Sequence, residues 1–267
     1  MSELLVVATP LGNLGDLSPR AREALGRADV IAAEDTRVTR RLLTAMDIPA
    51  PTLVSYWGRE EAQKAAMLVQ RMQAGETVAL VCDAGTPNVS DPGQHLVRLC
   101  HENDIPVRTV AGPSALTAAV SVAGLPPVPL HFLAFSPRKP GPVRRWIRRY
   151  AALPGTLVIY EAPGRTLATL RIIAEELPDR QVCMARELTK LHEQVVTKSA
   201  AELVELLQDQ RIRGEVVLLV GPGAAPVDDA PEASMDSLKD IAAALAKRWG
   251  CTKREAYQKL LALESER

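Results

Sequence analysis

Residues 78–93 read VALVCDAGTPNVSDPG. Five apolar residues, Val78 to Cys82, give way at once to an acid, small residues and prolines. A buried strand that opens into a loop fixed by glycine and proline is how an open α/β sheet builds a ligand crevice at its strand ends. An ordinary strand-to-helix connection is the commoner use of such residues. Two features weigh against it here. The loop is longer than a minimal connection. It also sets two carboxylates (Asp83, Asp91) and two hydroxyls (Thr86, Ser90) beside backbone that glycine lets a ligand approach closely. The stretch is therefore expected to floor a binding site.

Working outward, Leu4 to Ala8 is a continuous apolar strand followed by a second glycine-containing loop, TPLGNLGD. Ser18 and Pro19 form an N-cap and first-turn pair, and Ala21, Leu25 and Ala28 give the next helix an inner face. Val30 to Ala33 is a short strand that runs straight into Glu34, Asp35, Thr36 and Arg37, and Leu53 to Ser55 reads as another strand. Glu60 to Gln73 is helical, with Ala65, Leu68, Val69 and Met72 on one stripe. A helix from Gln94 to Asn103 follows the opening stretch. Val107 to Ala111 is then a strand ending in GPSA, with Ser114 placed to cap an alanine-rich helix. Alternating strands and helices imply a mostly parallel sheet. The loops after Ala8, Cys82 and Ala111 then converge on one sheet edge, which is the physical pointer to a site.

Gly124 to Pro129, GLPPVP, reads as a linker. Beyond it, strands are expected at His131–Phe135, Thr156–Tyr160, Gln181–Ala185 and Val216–Val220, with helices at Val143–Ala151, Arg165–Leu177 and Ser199–Gln208. Ser199 and Glu202 make a capping box for the last of these. The expected organisation is an N-terminal α/β domain over 1–123, a second α/β domain with a mixed sheet over 124–220, a linker over 221–235 and a helical tail over 236–267. The tail predicts two helices, Leu238–Trp249 and Thr252–Leu263, around Gly250, with a capping box at Thr252 and Glu255. This pattern, with Lys247, Arg248, Lys253 and Arg254 near the turn, is that of a helix-turn-helix. A hairpin used for packing or dimerisation fits it equally well.

Composition removes several classes. Hydrophobic residues at 47% and charged residues at 24% are those of a soluble globular chain, and the formal net charge is zero, so an anionic partner must meet a local patch. Aromatic residues at 3% argue against a base-stacking surface of the kind single-strand binders use. Cys82, Cys100, Cys183 and Cys251 contain no CxxC pair, which predicts buried thiols in a reducing compartment. No signal peptide and no membrane span is read, so a cytoplasmic protein without membrane attachment is expected. Gly12 and Gly15 give GxxG rather than a dinucleotide fingerprint. No P-loop or GxSxG elbow occurs, and His95, His101, His131 and His192 lack metal-ligand spacing, so no metal site is expected.

What remains is acids, small loops and one basic run. Glu34, Asp35 and Arg37 stand at a strand end, where a solvated cluster alone would account for them. Arg186, Glu187 and Lys190 of ARELTK repeat the pattern, and a salt bridge between Arg186 and Glu187 would explain it without function. Together the clusters suit a polar, partly cationic small molecule and a hydroxyl nucleophile. Arg138 to Arg149, RKPGPVRRWIRR, carries six basic residues and no acid. An uncompensated cationic helix face in a neutral chain favours phosphate contact.

Five ordered motifs now carry a resemblance: ATPLGNLGD at Ala8–Asp16, AAEDTR at Ala32–Arg37, DAGTP with SDPG at Asp83–Gly93, GPSA at Gly112–Ala115 and ARELTK at Ala185–Lys190. In this order they resemble the ribosomal RNA small subunit methyltransferase I family, over about Leu4 to Gly221. The resemblance implies the two-domain tetrapyrrole-methylase (class III methyltransferase) α/β fold with a C-terminal helical hairpin. It implies S-adenosyl-L-methionine in the interdomain cleft and 2′-O-methylation of a cytidine ribose in small-subunit (16S) ribosomal RNA, free or in the 30S subunit. On this resemblance Pro10, Leu11, Asp83, Ala84, Gly85, Thr86, Pro87, Ser114, Ala115 and Leu116 contact the cofactor, and Tyr160, Glu187 and Gly214 close over it. The fold also implies a homodimer. The chain departs from the family at Ser55–Glu61, SYWGREE, where SYHEHNE is usual, so that segment's use in RNA positioning is not carried over. Cys82 also stands where serine is common.

The chemistry implied is in-line methyl transfer from a sulfonium to oxygen, for which the protein supplies alignment and a water-excluded cleft. A ribose hydroxyl is a very weak acid, so a base or nearby cation is expected to help. Glu34 or Asp35 is assigned as proton acceptor, and Lys190 is placed with them as catalytic. Arg37, Arg138, Lys139, Arg144, Arg145 and Arg148 are assigned to RNA. Two alternatives accompany this reading. One is a precorrin-type tetrapyrrole methyltransferase on the same fold, and the other is a non-catalytic RNA-binding ribosome-assembly factor.

Overall fold

The computed structural model describes residues 2–223, 242, 243, 245, 246 and 250–265. The chain divides into two compact units, Met1–Gly223 and Ala224–Arg267.

The first unit contains two five-stranded sheets. The first holds β1 (Leu4–Val7), β2 (Val30–Ala33), β3 (Thr52–Ser55), β4 (Val78–Val81) and β5 (Val107–Val110), in the order β3-β2-β4-β1-β5. Every pairing is parallel, with Val78 opposite both Leu4 and Val30. Strand β4, with which the stretch 78–93 begins, lies at the centre. All of β2 and β4 is buried, because helices cover both faces, and this is why these strands read as unbroken apolar runs. On one face Leu5, Val7, Ile31, Ala33, Ala79 and Val81 pack against α1 (Pro19–Arg27) and α2 (Thr36–Ala45). On the other, Leu4, Val30, Ala32 and Leu80 meet α3 (Glu61–Gln73) and α4 (Gln94–Glu102).

Helix α2 stands where the sequence reading placed no element. Only Thr39 and Leu43 are buried on it, so its three arginines hid the helical period. Its start was nonetheless legible: the Asp35 carboxylate accepts from the Arg37 N–H at 2.8 Å as an N-cap. The Ser18 cap of α1 and the buried stripe of α3 stand as expected.

The second sheet holds β6 (Leu130–Phe135), β7 (Thr156–Glu161), β8 (Gln181–Arg186), β9 (Gln194–Ser199) and β10 (Val216–Val220), in the order β6-β7-β10-β8-β9. Strands β6 and β7 are parallel and the other pairs antiparallel, a mixed sheet. Strand β9 was not expected from the sequence, because it is an edge strand with no buried residue and therefore no apolar alternation. Helices α6 (Pro140–Ala151), α7 (Pro163–Glu176) and α8 (Ala200–Leu207) cover one face. Proline in the first turn starts α6 and α7 earlier than their apolar periods do. Helix α5 (Ala115–Val122) covers the other face, with Ala119 and the following Ala123 against Val158, Cys183, Ala185 and Leu219. The chain thus crosses from one sheet to the other at Gly112–Ser114.

In the second unit a helix spans Lys253–Ser265, and residues 242, 243, 245 and 246 are helical. The capping box forms as expected: Glu255 accepts from the Thr252 N–H at 2.8 Å, and Thr252 accepts from the Glu255 N–H at 3.3 Å. Gly250 turns with φ +62°. The expected linker beyond Gly223, most of the expected helix Leu238–Trp249, and Lys247 and Arg248 lie outside the described residues.

Candidate active site

The three strand-end loops meet as their composition predicted. Thr9 donates from its N–H to the Gly85 carbonyl at 2.8 Å, and Gly85 returns the bond at 3.0 Å. The Thr9 hydroxyl reaches the Cys82 carbonyl at 3.0 Å, and the Thr86 hydroxyl reaches that of Pro113 at 2.9 Å. These bonds tie the loops after β1, β4 and β5 to one another. Gly85 sits at φ +90°, which a Cβ would strain, and Asn88 and Ser90 adopt left-handed backbone at φ +71° and +73°. Such backbone persists only where its surroundings hold it, as at ligand loops.

Between this edge and the ends of β7 and β10 lies a cavity of about 450 Å³. Of the expected site residues, Leu11, Glu34, Asp83, Ala84, Gly85, Thr86, Ser114, Ala115, Tyr160 and Gly214 line it. Pro10, Pro87 and Leu116 flank lining residues in the chain, and Glu187 lies behind Gly214, where an added Cβ would stand 2.1 Å from its carboxyl. Ser114 takes the N-cap position of α5 but makes no capping hydrogen bond, contrary to expectation. The sequence reading did not assign Asp91, Phe135, Glu161 to Pro163, or Glu215 to Val217, which also line the cavity. Asp91 was visible in SDPG, and Glu161 stands at a strand end as Glu34 does.

A relay of backbone donors orients the acids. The Asp83 N–H donates to Glu34 at 3.2 Å, and the Asp35 N–H donates to Asp83 at 3.0 Å. Asp35 in turn holds Arg37 at 2.6 Å. The electrostatic outcomes diverge. Arg37 pulls the Asp35 carboxyl down to about 2. Burial raises Glu34, reinforced by the charges of Asp83 and Asp35. Burial also raises Asp83, and burial together with Glu34 lifts Asp91 to about 6. Glu34 and Asp83 also face a second, more open cavity of about 360 Å³, shared with Asp35, Thr36, Arg37, Ser55 and Trp57. The two carboxylates therefore wall both spaces.

On the opposite side Tyr160 is held edge-to-face by Phe132 and Phe135, with ring centres 4.8 and 5.6 Å away. Burial pushes its hydroxyl up to about 12. Lys190 lines neither cavity. It donates to Glu187 at 2.9 Å and Glu215 at 3.2 Å, and its stem packs so closely on Gly12 that a Cβ there would stand 2.5 Å from Cε. Burial opposes its charge, but these carboxylates outweigh burial and raise its pKa. Glu161 is buried with every oxygen used: Ser136, Thr169, the Ala162 N–H and Arg165 all reach it within 2.8 Å. It is an anchor for the end of β7.

The basic run on α6 needs correction. Its premise was an uncompensated face, yet Arg144 pairs with Glu175 and, at 2.6 Å, with Glu176, which Arg148 also holds at 2.6 Å. The acids come from α7 and were invisible within the run itself. Arg138, Lys139 and Arg145 have no acidic partner among the described residues and are exposed.

A family model for Tetrapyrrole (Corrin/Porphyrin) Methylases matches residues 3–204. The ribosomal RNA small subunit methyltransferase I of Synechocystis is 40% identical, over 97% of this chain and 92% of its own. The protein of the same name from Mycobacterium tuberculosis (strain CDC 1551 / Oshkosh) is 43% identical over 84% and 78%, and that from Escherichia coli O157:H7 is 39% identical over 96% and 93%. Among solved structures, the uroporphyrin-III C-methyl transferase of Thermus thermophilus complexed with S-adenyl homocysteine has a TM-score of 0.57 at 21% identity, over 83% of this chain and 97% of its own. Diphthine synthase has a TM-score of 0.63 at 16% identity, over 82% and 90%. Both bear on the fold, which is the expected tetrapyrrole-methylase one. The chain belongs to the tetrapyrrole methylase family and, within it, to the ribosomal RNA small subunit methyltransferase I family.

Proposed function

We propose that the chain transfers a methyl group from S-adenosylmethionine to the 2′-oxygen of a cytidine ribose in small-subunit ribosomal RNA. The observation that carries this reading is a cavity of about 450 Å³ walled by Glu34 and Asp83, in a chain 40% identical over 97% of its length to a relative of that name. The cavity suits the cofactor in size and chemistry. Leu11, Ala115, Val216 and Val217 offer apolar surface to a purine, Gly85 and Gly214 open the backbone, and Asp83 and Asp91 favour a cation. When bound, S-adenosylmethionine supplies a methyl group already activated by its sulfonium.

The chain's own residues then align the acceptor and take its proton. Glu34 is the better acceptor, because it faces both cavities and is held above the ordinary carboxylate range. Asp35, held ionised by Arg37, is the weaker base and serves to cap α2 and fix Arg37. Lys190 acts as a positioning residue through Glu187 and Glu215. Arg138, Lys139 and Arg145 are read as the main phosphate contacts, and Arg37, Arg144 and Arg148 contribute less because Asp35, Glu175 and Glu176 offset them.

Among the described residues no helix is long and apolar enough to cross a membrane. The reading places the enzyme in the cytoplasm as a homodimer, for which sedimentation equilibrium is the check. The function is tested by transfer of labelled methyl from S-adenosylmethionine to small subunits purified from a strain lacking the gene. Label on small-subunit RNA, absent from large subunits and from precorrin, is expected. Transfer to precorrin alone would replace this reading with the tetrapyrrole one.

A further inference from the structure

Three concavities run into one another across the first sheet's carboxyl edge. The cofactor cavity shares Glu34 and Asp83 with the second cavity, and the second shares Arg37 with an open groove of about 470 Å³ lined by Arg37, Arg40, Arg41, Thr44 and Ala45. Arg37, Arg40, Arg41 and Thr44 fall at i, i+3, i+4 and i+7 of α2, opposite the buried Thr39 and Leu43. The helix carries no acid. Arg40 and Arg41 are exposed and have no acidic partner among the described residues. Beside this face Trp57 follows the fully buried Tyr56 and is 58% exposed. An exposed indole next to a cationic stripe, leading to a carboxylate-walled cavity, matches single-stranded nucleic acid, whose phosphates take guanidinium and whose bases stack on aromatic faces.

We propose that Trp57 and the Arg37–Arg40–Arg41 face dock a single-stranded RNA segment, with Trp57 stacking on a base beside the target ribose and Arg40 and Arg41 holding adjoining phosphates. The proposal rests on the methyl-transfer reading and adds the route by which the acceptor reaches Glu34. The low aromatic content still argues against a platform for several bases; presenting one ribose needs a single stacking side chain.

The test is fluorescence anisotropy of the full-length protein with labelled oligocytidylate, with a small-subunit RNA transcript and with assembled small subunits, across a salt series. Arg40→Ala/Arg41→Ala is expected to weaken binding roughly tenfold and to flatten the salt slope by about 1.4, at about 0.7 for each phosphate no longer neutralised. Trp57→Ala is expected to weaken it about tenfold without changing the slope, and Trp57→Phe to restore most of the affinity. S-adenosylmethionine affinity by calorimetry should be unchanged in all three, which also reports an intact fold. Wild-type RNA affinity in both alanine proteins would overturn the proposal. So would a weakening seen with assembled subunits but not with naked transcript, which would assign the face to a ribosomal protein. A wild-type protein that binds the cofactor but neither naked RNA nor assembled small subunits would instead remove the methyl-transfer reading itself.

Discussion

Four residues apart in chemistry but close in sequence, Glu34 to Arg37, illustrate how neighbours set a carboxylate's task. Asp35 is spent on Arg37 and the start of α2, whereas Glu34 is desolvated on a wall between two cavities. Glu34→Gln is therefore expected to lower kcat by about 10²–10⁴ with cofactor affinity nearly unchanged. Asp35→Asn keeps an N-capping side chain and should cost less than about tenfold. Single-turnover methyl transfer decides, and near wild-type rates in Glu34→Gln would remove the assignment. Asp91 gives a pH test. Its folded carboxyl is raised to about 6, so the folded state holds the proton more tightly than the unfolded chain. That contribution favours folding at low pH and is lost as pH rises through about 6. Asp91→Asn should accordingly raise Tm above pH 7 and leave it little changed near pH 4, and the reverse dependence would contradict the assigned burial. Asp83 to Thr86 were legible as site residues because a fully apolar strand ran into them. Asp91 lay in the same expected loop, whereas Glu215 was not legible, because only the fold brings the start of β10 to the cavity.

Elements were legible where both faces of the sheet are covered and obscure where one is not. Strands β2, β4 and β10 are buried along their whole length and announce themselves; β9 is a half-exposed edge, and α2 buries two side chains among arginines. Caps were the more reliable signal. The box at the start of α8 forms with both bonds, so Ser199→Ala should cost about 1 kcal/mol in denaturant unfolding. The turn at Gly214 is a stricter case. With φ +80° and an added Cβ only 2.1 Å from the Glu187 carboxyl, Gly214→Ala must displace the Glu187–Lys190 pair. A loss of about 1–3 kcal/mol and a weaker cofactor titration are expected. Unchanged affinity would show that this wall does not face the cofactor.

At the scale of the molecule, one parallel and one mixed sheet bring their ends together around the cavity, and the chain crosses between them at Gly112–Ser114 with α5 packed on the second. We propose residues 1–123 and 124–220 as the two domains of that arrangement, with α5 as the piece of the first that the second holds. The compact unit ends at Gly223, so a chain cut there is expected to unfold cooperatively and to bind S-adenosylmethionine as the full chain does. Failure to fold would show that the tail completes the unit. Methylation of one ribose in small-subunit RNA is tested by mass spectrometry of that RNA from a deletion strain. A ribose-methylated cytidine should vanish on deletion and return with the wild-type gene. An RNA modification profile unchanged by deletion would contradict it.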